Sequence, residues 1–440
     1  MSNSPDVQRD SFKSRFGMIM SIAGMSIGLG NCWKFPYLCG KWGGGAFVFV
    51  YLIGCILVIV PLAIVEVSMG KRTQAGLVQT YGDSFRCKPV GYVLGSVSSF
   101  GMYAVNFYYV VILGAIVYFI GMFATCAWNR TDVSTMYDSY TGSVASVVIY
   151  VIIMVIMVYT ALKGINKGIE KVSKIMVPSL FILFFITFII LCCTTPNMVD
   201  GLNYYLNPDF SQLGNINLWI AAIGQALFSV GVGPGCLLIY GSHLKEDAEI
   251  TKSVLTICVL DTCVGLLSGL CIIPACIAYG VDPESGSTLI FRVLPVIFEE
   301  MPLGAVIGVL LFIGMFFAAF TSAIANQEVA LTTFVDAYHL PRPAVAVALG
   351  IINLCIGLPC LFSEGWYNLW VNVTGDYLYM PAAAIGGIAY VYCYGVRKLR
   401  ENNANPYSDI KLGRWFDRWV QIIALPIMIF LTAWNFIALF

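Results

Sequence analysis

Of the chain's 440 residues, 59% are hydrophobic and 11% charged, against about 45–50% and about 25% in soluble domains, so a soluble fold is a poor fit and most of the chain belongs in lipid. The 24 Lys+Arg balance 24 Asp+Glu, which gives no sign of a nucleic-acid partner or of attraction to acidic surfaces. Two histidines, and cysteines placed mostly inside apolar runs, supply no cluster with metal-ligand spacing.

The opening residues 1–10 are polar, and the apolar run that follows is too long and too Gly-interrupted for a cleaved leader. Stretches able to cross about 30 Å of hydrocarbon are predicted at 16–40, 44–70, 89–123, 144–162, 169–193, 215–241, 251–279, 303–335, 343–361, 366–396 and 416–438. The expected fold is therefore all-α integral membrane with eleven transmembrane helices. Basic residues set its orientation, because cytoplasmic loops retain Lys and Arg. With the N-terminus inside, only Lys34, Lys41, Arg130 and Arg292 of the 24 Lys+Arg fall outside the inner segments. A multi-pass cell-membrane protein with a cytoplasmic N-terminus and an extracellular C-terminus follows.

Two spans depart from helix chemistry. The first carries Gly24-Met25-Ser26-Ile27-Gly28-Leu29-Gly30-Asn31, and the sixth carries Phe228-Ser229-Val230-Gly231-Val232-Gly233-Pro234-Gly235. Irregular backbone survives in a bilayer only where protein buries it or a cavity needs it. Glycines at one such place serve close helix packing equally well; two at matched positions point to a repeat of five helices, each opening with a discontinuous helix around a midplane site. The expected organisation is a cytoplasmic segment 1–15, a first repeat 16–193, an extracellular loop 194–214, a second repeat 215–396, a cytoplasmic loop 397–415 and a last helix 416–440. Exposed N–H groups after Gly28 suit a carboxylate, and freed carbonyls suit a small cation.

These residues resemble the neurotransmitter:sodium symporter family, chiefly its bacterial amino-acid branch. The resemblance rests on Arg15-Phe16-Gly17 leading into Gly28-Leu29-Gly30-Asn31, Phe35-Pro36-Tyr37 before Gly43-Gly44-Gly45-Ala46-Phe47, Pro61-Leu62 before Glu66, and Trp219-Ile220-Ala221-Ala222 through Gln225 to Phe228-Ser229. It implies sodium symport through an inverted five-plus-five helix repeat, with two co-transported Na+ ions. One sodium site would use Ser26, Asn31, Ser229 and Asp261 with the substrate carboxylate; the second would use carbonyls of Gly24, Ile27 and Ala318 and hydroxyls of Thr321 and Ser322. All are oxygens, as a hard cation requires. Read without the resemblance, Thr321 and Ser322 fit helix hydroxyls bonded to a preceding carbonyl better than ion ligands; the resemblance reverses that weighting.

Asp261 is an ionisable group in the middle of an apolar span, costly there and functional by default. A carboxylate beside sodium supplies the charge that animal members obtain from chloride, so no chloride requirement is expected; the alternative is a protonated Asp bonded to a neighbouring helix. Glu66 is implied to support the backbone freed in the sixth helix.

Gly28 stands where monoamine carriers of the family place an acid, leaving room for the solute's own carboxylate against Leu29, Gly30 and the Tyr109 hydroxyl. The implied side-chain pocket is Met25, Val105, Phe107, Phe228, Gly231, Pro234, Ser322 and Asn326. A buried amide at Asn326 wants a partner, which favours tyrosine or tryptophan over a leucine-like substrate, unless Asn326 spends its bonds between helices. Arg9 and Asp336 stand at the family's inner gate, with Phe12, Ser242 and His243 nearby. Lys34 and Asn372, or Asp376 one turn on, stand at the outer gate, where Lys lacks the planar fork of Arg. Gly168 and Pro178 match a family spacing linked to local unwinding, or form an ordinary kink. The expected function is import of an amino acid with sodium by alternating access, with no enzyme activity, nucleotide site or obligate protein partner; the alternative is an amino-acid sensor that binds without translocating.

Overall fold

The structure is a computed structural model that describes residues 10–130, 132–281 and 289–437, apart from the side chains of Asn129, Arg130, Leu289 and Asp376. The chain enters its first helix through Ser14, whose hydroxyl accepts the Gly17 N–H at 3.0 Å and so caps α1, Arg15–Ser26. After a short break it resumes as α2, Gly30–Lys41, bent by 54° from α1. Long helices follow: α3 Gly45–Thr73, α4 Lys88–Ala124, α5 Val144–Leu162 and α6 Ile165–Thr194. The sixth predicted span is divided into α7, Ile216–Val230, and α8, Cys236–Ser242. Then come α9 Thr251–Ala278, α10 Gly304–Tyr338 and α11 Arg342–Leu361, a segmented helical run α12 over 364–404, and α13 Arg414–Ile437.

By length and apolar character eight of these helices suffice to cross a bilayer, or nine when α1 and α2 form one span. The expected eleven is reached by also counting α7 with α8, and α12, each as one crossing. Neither passes by length and apolar character among the described residues, where α7 is a shorter apolar helix and α12 is segmented with Gly395 at φ 108° inside it, so eleven stays an expectation. Among the described residues the fold is otherwise helical, with one isolated bridge between Gly44 and Pro208.

α1 packs against α6, α9 and α10, and α8 lies along α3. Both broken helices are therefore wrapped by continuous ones. Many apolar side chains on the outside of α5 and α6, including Val155, Tyr159, Ile175, Ile182 and Phe185, remain exposed. A solvent-facing helix would carry polar residues there; these faces are what a bilayer covers.

Both breaks are shorter than the glycine-rich strings that announce them. α1 stays helical through Ser26 and the chain is open only at Ile27 and Gly28; α7 stays helical through Val230 and opens at Gly231. The expectation that Phe228 and Ser229 lie in irregular backbone is thus corrected. Gly231, Gly233 and Gly235 have φ of 74°, 109° and 103°, a region open to glycine at no steric cost, and the turn begins at the first of them.

Candidate functional site

Where the two breaks face one another, one carboxylate gathers three helices. Asp261, on α9, is fully buried. Its Oδ2 accepts from Ser229 Oγ at 2.7 Å, and its Oδ1 accepts from Asn31 Nδ2 at 2.9 Å. Asn31 Nδ2 also reaches the Asp261 carbonyl at 3.0 Å, while its Oδ1 accepts the Gly28 N–H at 3.1 Å. Ser26 Oγ donates to the Val230 carbonyl at 3.0 Å, which ties one break to the other. Of the expected first sodium set, Asn31, Ser229 and Asp261 thus form one connected polar knot, and Ser26 adjoins it through the backbone of Val230, next to Ser229.

A second oxygen cluster lies between α1 and α10. Ser322 Oγ is within 3.1 Å of the Met25 and Ile27 carbonyls and 3.4 Å of the Gly24 carbonyl. Thr321 Oγ1 donates to the Phe317 carbonyl at 2.9 Å and the Ala318 carbonyl at 3.0 Å. A Cβ on Gly24 would lie 3.2 Å from the Thr321 Cβ, so the residues expected at the second sodium site are neighbours. Among the described residues no three His, Cys, Asp or Glu converge as metal ligands. A cation at either cluster would meet carbonyl, hydroxyl, amide and one carboxylate oxygen, the donors of a hard ion.

Between the clusters is a cavity of about 60 Å³. Met25, Ser26, Gly28, Leu29, Gly30 and Asn31 form one wall; Phe228, Ser229, Gly231, Ser322 and Asn326 face it, with Val105 and Tyr109 from α4. Tyr109 Oη accepts the Leu29 N–H at 3.1 Å. A Cβ on Gly28 would come within 2.8 Å of Ser322 Oγ and 3.1 Å of Tyr109 Oη; glycine is needed there for backbone to approach both hydroxyls.

Two expected lining residues are placed elsewhere. Phe107 is buried and turned to the far side of α4, with its ring 4.7 Å from that of Trp370 and 5.5 Å from that of Tyr103. Pro234 is buried within the second break and does not line the cavity. Met102, Cys236 and Tyr379 line it instead. Tyr379 sits in a wide helical turn of α12, packs its ring 5.3 Å from that of Phe228 and donates to the Phe228 carbonyl at 3.4 Å. No spacing in the sequence singles it out.

Glu66 is buried on α3 and accepts from the N–H groups of Gly233 at 2.6 Å and Leu238 at 3.4 Å. Gln225 Nε2 donates to the Gly30 carbonyl at 2.8 Å, and Ser268 Oγ to the Asn31 carbonyl at 2.5 Å. Side chains thereby satisfy backbone groups that the breaks release, as buried irregular backbone demands.

Comparison with known proteins decides what this architecture belongs to. The profile of the Sodium:neurotransmitter symporter family matches residues 9–146 and 130–439. The chain belongs to that family. It is similar to a sodium-dependent transporter of Haemophilus influenzae, 30% identical over 96% of this chain and 97% of that one. A sodium-dependent transporter of Bacillus subtilis is 31% identical over 83% of this chain and 80% of its own length. Among solved structures, the crystal structure of MhsT in complex with L-phenylalanine superposes with a TM-score of 0.84, at 26% identity over 97% of this chain and all of that one.

In this symporter-family chain the described gate residues make the following contacts. Arg9 lies outside the described residues. Asp336 accepts the Gly76 N–H at 2.8 Å, and its carbonyl accepts from Gln79 Nε2 at 3.0 Å, so it holds the start of the short helix Leu77–Ser84. Phe12 stacks on Tyr240 with centroids 6.2 Å apart, Ser242 Oγ donates to the Ile239 carbonyl at 2.6 Å, and His243 Nδ1 meets the Asp10 carbonyl at 2.7 Å. Lys34 Nζ stands 4.7 Å above the Phe228 ring, a cation–π contact. Asn372 is exposed at the end of Glu364–Asn372, and the Asp376 side chain lies outside the described residues. Gly168 sits in the wide turn Ile165–Ile169, and Pro178 is inside the helix Glu170–Thr194.

Sequence reasoning also missed a buried ion pair. Glu328, buried on α10, takes two bonds from Arg342, at 2.8 and 2.6 Å, and one from Thr332 at 2.7 Å. Arg342 Nε donates to the Ala161 carbonyl at 2.9 Å, joining the ends of α5, α10 and α11. An acid inside an otherwise apolar helix was the available signal.

Proposed function

We propose that this chain imports a large amino acid, with tyrosine or tryptophan favoured, together with two sodium ions by alternating access and without chloride. The observation that carries this reading is the Asp261 knot: a carboxylate, two further side-chain oxygens and the ends of two broken helices converge beside a cavity bounded by the Gly28–Gly30 backbone. The break presents the N-terminal end of α2 to a carboxylate, and Tyr109 stands ready to donate to it. The N-terminal half and the half from α7 onward are read as inverted repeats, with the N-terminus cytoplasmic and the C-terminus outside. A cavity of about 60 Å³ admits a few waters; an aromatic solute enters when a wall moves, and Phe228, between Lys34 and Tyr379, is that wall.

Asn326 supports the aromatic choice. Its Nδ2 donates to Asn106 Oδ1 at 3.2 Å, while Asn106 Nδ2 donates to the Ala323 carbonyl at 3.0 Å. This chain of donors assigns both amides, and it leaves the Asn326 oxygen as an acceptor on the cavity wall. The bond between helices, the alternative to a solute contact, is thus present through the Asn326 nitrogen, and the oxygen is assigned to a solute hydroxyl or indole N–H.

Uptake of radiolabelled amino acids into proteoliposomes, with and without a sodium gradient, tests the reading. Sodium-driven accumulation of tyrosine or tryptophan is expected; sodium-dependent binding with neither uptake nor counterflow would instead make the chain a sensor. Asn326→Leu is expected to reduce the preference for tyrosine over phenylalanine about tenfold, the value of roughly one neutral hydrogen bond. Competition binding measures the ratio, and an unchanged ratio removes Asn326 from specificity.

A further inference from the structure

Where α5 turns into α6 there is a groove of about 720 Å³ lined by Lys13, Lys163, Lys167, Lys171 and Lys174 and by no carboxylate. Lys174 is paired with the buried Glu170 at 2.5 Å, and Lys163 Nζ stands 5.0 Å over the Tyr159 ring. The Asp10 carboxylate is turned to the Asn166 N–H, at 3.1 Å. Lys13, Lys163, Lys167 and Lys171 take part in no ion pair among the described residues.

Retention of positive charge at one membrane face accounts for lysines near this turn. It does not account for their convergence, because Lys13, from the segment before α1, lines the same groove and like charges so gathered repel. Beside Thr160 and Asn166 the groove's other walls include Tyr159, Val172 and Ile175, and Tyr159 and Ile175 belong to the exposed apolar surface of α5 and α6 that includes Leu162 and Ile182. A cationic floor that opens onto a lipid-facing apolar strip complements a molecule with both characters.

We infer that this groove binds the phosphodiester headgroup of an anionic phospholipid, whose acyl chains lie along Tyr159, Leu162 and Ile175. Free phosphate meets the same ammonium groups but leaves the apolar strip uncovered. The inference rests on the reading that the chain spans a bilayer with this end at the interface; it does not require transport.

The test uses the full chain in neutral detergent, with dioleoylphosphatidylglycerol, dioleoylphosphatidylcholine or inorganic phosphate added, read by native mass spectrometry of bound lipid and by thermal melting. Phosphatidylglycerol should be retained in preference to phosphatidylcholine and should raise the melting temperature. The K163Q/K167Q/K171Q variant should bind it roughly 10- to 100-fold more weakly, and K163R/K167R/K171R should bind it as the native chain does. Equal retention by the glutamine variant overturns the site, as does loss in the arginine variant. An equal melting shift with inorganic phosphate overturns the lipid assignment. Sodium-driven uptake measured on the same preparation separates the two readings: lipid retention without uptake sinks transport alone, and uptake without selective lipid retention sinks the lipid site alone.

Discussion

Asp261→Asn is expected to weaken sodium binding by about 30- to 150-fold while leaving the fold intact. The native carboxylate is fully buried, and opposite charges about 4 Å apart at an effective dielectric near 20 attract by about 4 kcal/mol. The amide dipole recovers part of that, leaving a loss of about 2–3 kcal/mol, with tenfold in affinity for each 1.4 kcal/mol. The variant keeps the size of the side chain, and an amide can still bond Ser229 Oγ, so Asn31 and Ser229 retain most of their contacts. Sodium titration of thermal stability, followed by sodium dependence of uptake, measures the change. The native chain should transport equally well when gluconate replaces chloride. An unchanged sodium titration in the variant, or a large loss of native uptake in gluconate, would place the compensating charge elsewhere.

Glu66→Ala should be the most destabilising of the single changes near the site. Two buried N–H groups, those of Gly233 and Leu238, end on its carboxylate, and leaving a buried donor unsatisfied costs about 1–3 kcal/mol. Two of them give about 2–6 kcal/mol, concentrated on the break that shapes the cavity. Glu66→Gln keeps an acceptor and should lose much less. Melting of the two variants in detergent gives the comparison, and the stabilisation conferred by amino acid and sodium should disappear in the alanine variant. Equal melting of Glu66→Ala and the native chain would mean that the break is satisfied by other groups.

Much of this arrangement was visible in residue type. Gly28, Asn31 and Asp261 announce themselves because polar or glycine residues inside apolar runs are expensive, and the family strings around them assign partners. Tyr379 and Met102 could not be found that way, since an aromatic or methionine in a membrane helix is ordinary packing material. Phe107 shows the converse. It is two residues from Val105 and two from Tyr109, both of which line the cavity, yet it points to Trp370, because the helical period places residues two apart on opposite faces and residues four apart on the same one. The outer gate was open in sequence because Asn372 stands where the family places an Asp and Asp376 lies one turn on; the structure also puts the Lys34 ammonium over the Phe228 ring.

Hydropathy and the placement of 24 Lys+Arg determined that the chain is a multi-pass helical protein, and glycine-rich strings determined which two spans break. Those are local properties: burial of apolar length and the conformational freedom of glycine operate within a few turns of chain. Only the tertiary structure decided how far each break runs, which side chains receive the released backbone groups, and that Asn326 shares its amide with Asn106. It alone brought Lys13 to the lysines of α6. These facts depend on distances between segments separated by many residues, and packing, not composition, sets them.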